Sequence, residues 1–147
     1  MNNNKGFTLI ELLAVIIILA IIALITTPII LNVVNKARQD AAKDKAWGTI
    51  EAFRVAYAQD QADNETLIAF PYTSEFMKDA TTGKWSAKVG ETSIKMSGEV
   101  PQGGTITMDE DGLITCDGLM FGAYSCTTED GNTMTCDDGG NGTHGDK

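Results

Sequence analysis

One carboxylate, Glu11, stands inside an otherwise uncharged apolar run: residues Phe7 to Leu31 read FTLIELLAVIIILAIIALITTPIIL. Placing a carboxylate within a bilayer costs on the order of 2.5 to 3.5 kcal/mol by insertion scales, so Glu11 needs a partner or a route to water. A partner four residues away would share its helix face. The alternative is a side chain that reaches the headgroups from near the helix start. Gly6 precedes the run, and without a side chain its backbone can be approached closely.

A second set of reactive residues lies at the other end: Cys116, Cys126, Cys136 and the only histidine, His144. Four such ligands match the count of a structural zinc site, but zinc motifs set their ligands in close pairs and these are widely spaced. The sequence TTEDGNTMT between Cys126 and Cys136 is a hairpin signal. A three-residue loop centred on Gly131 would set these two cysteines opposite each other, which predicts a Cys126–Cys136 disulfide. If Asp117-Gly118 is a tight turn as well, Cys116 pairs with Leu119, about 23 Å along the strand from Cys126, and stays unpaired or joins another chain. Three cysteines beyond any membrane segment suit an oxidising exterior. Oxygen-rich stretches at Asp109-Glu110-Asp111 and Asp137-Asp138 are calcium candidates, with a solvated acidic turn as the plainer reading. Catalysis finds no support: the chain has no phosphate-binding glycine loop, no second histidine and no nucleophile with an evident base, and no cofactor is expected. Asn64-Glu65-Thr66 and Asn141-Gly142-Thr143 have glycosylation spacing.

The elements that must position these residues follow from periodicity. The apolar run is long enough to cross a bilayer, at about 37 Å as a helix. Pro28 removes one backbone hydrogen bond and clashes with the carbonyl of Leu24, which predicts a kink instead of a stop. Beyond it Ile30, Val33, Val34, Ala37, Ala41, Ile50, Phe53 and Tyr57 recur at three- and four-residue steps, which extends one helix from Phe7 to about Gln61. Such a helix, about 80 Å long, exceeds what a domain of this size covers, so its front half must find partners elsewhere.

A connection from Asp60 to Trp85 follows, with a short helix expected over Ser74–Ala80, capped by Thr73 and ended by Gly83. From Ser86 onward alternation replaces the helical period, with strands expected around Ile94 and Met96, Ile106 and Met108, and Leu119, Phe121 and Ala123. Turn signals fall at Val100 to Gly104, Asp111-Gly112, Asp117-Gly118 and Asp130-Gly131. The expectation is an α+β protein in which the second half of a long helix packs on a small antiparallel meander, followed by a disordered acidic tail over 137–147. The organisation reads as 1–6 leader, 7–61 helix with 7–31 transmembrane, 62–136 globular head and 137–147 tail.

The formal net charge of −9 is concentrated late: nine acids lie between Asp109 and Asp146, against one base, Lys147. Such a surface repels phosphate, and direct nucleic-acid binding is not expected. The first six residues, MNNNKG, carry one base and lack the apolar region that an ordinary signal peptide places before its cleavage point.

The run Lys5-Gly6-Phe7-Thr8-Leu9-Ile10-Glu11 resembles the type IV prepilin signal, found in pilins and in type II secretion and competence pseudopilins. The likeness covers residues 1 to about 60 and includes Pro28. It implies a membrane aspartyl peptidase that cuts after Gly6 and methylates the new amine of Phe7. It further implies a Glu11 that pairs with the Phe7 amine of a neighbouring subunit and sets axial register as subunits leave the membrane. The expected partners are the prepilin peptidase, copies of the chain or other pilins, the membrane and a pilus assembly machinery. The expected location is first the cytoplasmic membrane, as a single-pass precursor, and then a surface filament. Residues Pro28-Ile29-Ile30-Leu31-Asn32 look like those of Gram-positive pilins. Two other readings compete: a pseudopilin of a secretion or DNA-uptake system, and a membrane-tethered module binding calcium or another ligand. The positive-inside rule disagrees with this topology, because Lys36, Arg38, Lys43 and Lys45 outnumber Lys5; the resemblance is preferred.

Overall fold

A computed structural model of the chain describes residues 6–63 and 69–139. The leader residues before Gly6, the glycosylation triplet at 64–66, and His144 with the tail from residue 140 lie outside the described residues.

The first element is helix α1, Leu9–Asp63, continuous through Pro28. Pro28 brings no N–H to the ladder. Just before it, the Thr26 hydroxyl donates to the Ile22 carbonyl at 2.9 Å and the Thr27 hydroxyl to the Ala23 carbonyl at 2.6 Å. Such back-bonding keeps threonine hydroxyls satisfied where no water is at hand. The chain divides into two compact units, one up to Arg38 and one from Gln39 onward. In the first, every residue from Gly6 to Arg38 is exposed, and α1 contains a window of mean hydropathy 3.1, apolar enough to cross a membrane.

In the second unit, Ala42, Ala46, Ile50, Phe53 and Ala56 of α1 are buried. Their three- and four-residue spacing makes one face of the helix, as an amphipathic pattern requires. They share a core with Ile106, Met108, Ile114, Leu119 and Phe121. Those residues come from a five-stranded antiparallel sheet of β1 (Tyr72–Glu75), β6 (Thr105–Met108), β7 (Ile114–Phe121), β8 (Tyr124–Thr128) and β9 (Thr135–Asp138), in the order β1-β6-β7-β8-β9. The last four strands form a meander, and β1 returns to its edge. Two small hairpins, β2 (Met77–Lys78) with β3 (Trp85–Ser86) and β4 (Lys88–Val89) with β5 (Thr92–Ser93), lie in the connection between β1 and β6.

Four local expectations are corrected. Ser74–Ala80 is not helical: it contributes β1 and β2, because Ser74 and Phe76 are buried and Thr73, Glu75 and Met77 are exposed, a period of two. Gly83 still ends a turn, at φ 68°, with Asp79 Oδ1 accepting the N–H groups of Thr81 and Thr82. Ile94 and Met96 follow β5 outside any ladder, half-buried against the core. Asp117-Gly118 is not a turn but a bulge inside β7, where the pairing shifts between Cys116 and Leu119. The turn falls instead at Gly122-Ala123, between the paired Phe121 and Tyr124, with Gly122 at φ 61°. Both sites carry a glycine at positive φ, so composition marks them alike, and only the pairing separates bulge from turn. Lastly, Asp137 and Asp138 belong to β9 and not to a tail.

The end of α1 is tied to the head through Asp60, a buried carboxylate. Its Oδ1 accepts the Glu91 N–H at 3.0 Å and the Thr92 hydroxyl at 3.1 Å. Gly90 sits over it at φ 55°, and a Cβ there would fall 2.3 Å from Asp60 Oδ2.

Candidate processing and assembly site

Thr8 immediately precedes the first helical residue and Glu11 follows it by three, the T-x-x-E spacing of a capping box. Both halves of the box are formed. The Thr8 hydroxyl and N–H donate to Glu11 Oε2 at 2.8 and 2.9 Å, and the Glu11 N–H reaches the Thr8 hydroxyl at 3.4 Å. The Thr8 carbonyl accepts the N–H groups of Glu11 and Leu12. Glu11 is therefore satisfied within the chain by the hydroxyl and N–H of Thr8. Thr8 is the residue that sequence reasoning passed over, although T-x-x-E before an apolar run is readable as a cap.

Phe7 is 89 % exposed, and a Cβ built at Gly6 meets nothing within 4 Å. The fold itself places no demand for glycine at position 6. The geometry thus offers an accessible segment without regular secondary structure, Gly6-Phe7-Thr8, joined to a capped apolar helix whose acidic residue in the first turn is Glu11.

At the far end, Cys126 and Cys136 are joined by a disulfide, with Cα atoms 4.1 Å apart and directly paired between β8 and β9. Their register centres on Gly131, but pairing stops at Thr127 and Thr135, so the loop is longer than three residues. Asp130 organises it: Oδ1 accepts the N–H groups of Asn132 and Thr133 at 2.9 and 2.7 Å. These donors hold the Asp130 carboxyl down at about 2. Cys116 is free and buried. Because Asp117-Gly118 is a bulge, Cys116 pairs with Ile106 and Thr128 and not with Leu119, and its Sγ lies 3.9 Å from the Cys126 carbonyl oxygen. It is therefore a near neighbour of the disulfide, not remote from it. Burial pushes its thiol up to about 11.

Among the described residues, no three His, Cys, Asp or Glu side chains gather as a metal site. Asp109 Oδ1 accepts the N–H groups of Asp111 and Leu113, so this candidate calcium ligand shapes the β6–β7 turn.

An exposed apolar helix with a capped carboxylate in its first turn, followed by a small α+β unit, fits a membrane-anchored precursor. Residues 1–27 match the family model described as the prokaryotic N-terminal methylation motif, the signature of type IV prepilins. No curated protein and no solved structure matches the chain. The signature supports pilin-like prepilin processing, implies a prepilin peptidase and assembly with other pilin-like subunits, and marks a structural type of protein.

Proposed function

We propose that the chain is a structural subunit of an extracellular type IV pilus, cut between Gly6 and Phe7, methylated on the new Phe7 amine and polymerised through α1. The observation that carries the reading is the pairing of the prepilin signature with a helix whose residues up to Arg38 are all exposed among the described residues. In a bilayer lipid covers them; outside it, only other subunits do, and van der Waals packing of long aliphatic side chains would then form a filament core.

Glu11 has two successive partners in this scheme. Before cleavage, Thr8 satisfies it. After cleavage, a charged amine appears at Phe7, and in a dry helix bundle the Glu11 of a neighbouring subunit supplies the counter-charge and fixes the axial step. Pro28 bends α1 within the bundle. The disulfide and the core beneath the sheet keep the head folded outside the cell.

Imaging sheared surface fractions from cells with and without this chain tests the assignment. Long fibres that contain the chain and vanish on its deletion are expected. A chain that stays in the membrane whether or not the assembly machinery is present would contradict it and favour a tethered module.

A further inference from the structure

Helix α1 carries four bases just beyond its apolar span: Lys36, Arg38, Lys43 and Lys45. Their partners sort them into two pairs. Lys45 Nζ reaches Glu99 Oε2 at 2.5 Å, and Lys43 Nζ lies 3.8 Å from Asp40 Oδ1. Lys36 and Arg38 are exposed and make no ion pair among the described residues. Arg38 has Val34, Asn35, Ala41 and Ala42 at the three- and four-residue positions to either side, so no acid shares its face. Lys36 has one such acid, Asp40, which lies a turn farther from the span and contacts Lys43 instead. The two bases without a partner are therefore the two nearest the apolar segment, and both belong to the compact unit that ends at Arg38.

Helix geometry sets their depth. From Leu9, the first helical residue, to Lys36 the helix rises about 40 Å, and a bilayer with its headgroup layers is about 40 to 45 Å thick. A span that begins with Leu9 at one interface brings Lys36 and Arg38 to the headgroups of the opposite leaflet. The two side chains leave the axis about 200° apart, so they meet lipid on both sides of the helix and do not share one groove. Their aliphatic stems continue the apolar surface of Val33 and Val34, both exposed, while the charged ends reach outward. Phosphate suits both ends, as a bidentate partner for the guanidinium and a point charge for the ammonium.

We propose that Lys36 and Arg38 bind the phosphates of anionic phospholipids in the leaflet on the head side of the membrane, and so hold the anchored chain at a fixed depth. The proposal rests on the reading of α1 as a membrane span and is independent of whether the chain is built into a pilus.

Full-length protein in nanodiscs of equimolar phosphatidylglycerol and phosphatidylcholine tests it, with the lipids that stay bound on release from the disc counted by native mass spectrometry. Every chain carries Lys5→Gln, which removes the base on the other side of the span. A base near an anionic surface contributes roughly fivefold in affinity, so phosphatidylglycerol should be retained at least about fivefold over phosphatidylcholine. Adding Lys36→Gln and Arg38→Gln should bring that preference to within about twofold, whereas adding Lys43→Gln should leave it unchanged. Equal retention of the two lipids, or a preference that survives the Lys36 and Arg38 changes, would overturn the proposal. So would loss of the preference on adding inorganic phosphate at constant ionic strength, which would assign the site to free anions. A chain that fails to enter the disc would remove the membrane span itself, and this contact with it.

Discussion

Glu11 resolves one problem inside the chain and is proposed to resolve another between chains. Its capping box explains how a carboxylate can wait in an apolar helix without a cationic partner, since the Thr8 hydroxyl and N–H both serve it. Thr8→Val removes one of these bonds and the reciprocal cap, which typically costs about 0.5 to 2 kcal/mol of helix-end stability. Amide exchange at the start of α1 should quicken in Thr8→Val relative to wild type in detergent, and unchanged protection would contradict the cap. Cys116 makes a second residue-scale case. With its thiol up at about 11, the thiolate fraction at pH 8 is about one part in a thousand, and burial blocks access as well. Native protein should resist iodoacetamide at pH 8 and label stoichiometrically once unfolded; rapid native labelling would show that the thiol is not packed as described. Asp130 gives a pH dependence of definite sign. Its folded value, about 2, is depressed below the ordinary carboxylate value, so its turn contributes stability that is fully present above about pH 4. That contribution fades as pH falls toward 2. Asp130→Ala should lower the melting temperature at pH 7 and narrow the gap to wild type near pH 2, and a constant gap across that range would exclude the turn as its source.

Among the elements, α1 belongs to two solvents, and its sequence says so directly. The front half has apolar residues on all sides, so the span of the helix was readable from period, but the stripe facing the sheet was read only in part: Ile50 and Phe53 are buried as expected, whereas Ala37 and Ala41 are exposed and the core takes Ala42, Ala46 and Ala56. Strand pairing was harder to read. Cys126 and Cys136 fell into register because a loop centre and two equal arms suffice to place them, but the turn expected at Asp117-Gly118 lies at Gly122-Ala123, where a strand was expected. A glycine at positive φ serves bulge and hairpin equally, and the choice depends on which strands lie beside it. Ser74–Ala80 misled for a related reason. Its helix-compatible residues are overruled by burial of Ser74 and Phe76 under tertiary packing, a context that local propensity does not contain. Gly90 was silent in the sequence because its constraint, the Asp60 carboxylate, is thirty positions away. Gly90→Ala would combine a left-handed backbone, costing roughly 1 to 2 kcal/mol, with a Cβ that displaces Asp60 from Glu91 and Thr92. Thermal denaturation should show a clear loss of stability, and a neutral outcome would mean that the tie at the end of α1 is dispensable.

For the molecule as a whole, the division of labour predicts that insertion and assembly respond to one substitution in opposite ways. Glu11→Leu relieves an unfavourable insertion cost on the order of 2.5 to 3.5 kcal/mol, so membrane integration and cleavage should persist. The Phe7 amine of the adjacent subunit would then lose its counter-charge, and an unpaired charge in a dry core typically costs about 3 to 5 kcal/mol. Processed subunit should collect in the membrane while fibres fail, and wild-type fibre yield from Glu11→Leu would refute the role of Glu11 in register. The central claim, that the exposed helix is released next to Gly6 and built into a surface filament, meets its most direct test in intact-mass measurement of the protein in sheared surface material. The predicted species begins at Phe7, carries one methyl group on its terminal amine and retains the Cys126–Cys136 disulfide. A surface-assembled chain that still begins at Met1 would contradict the account.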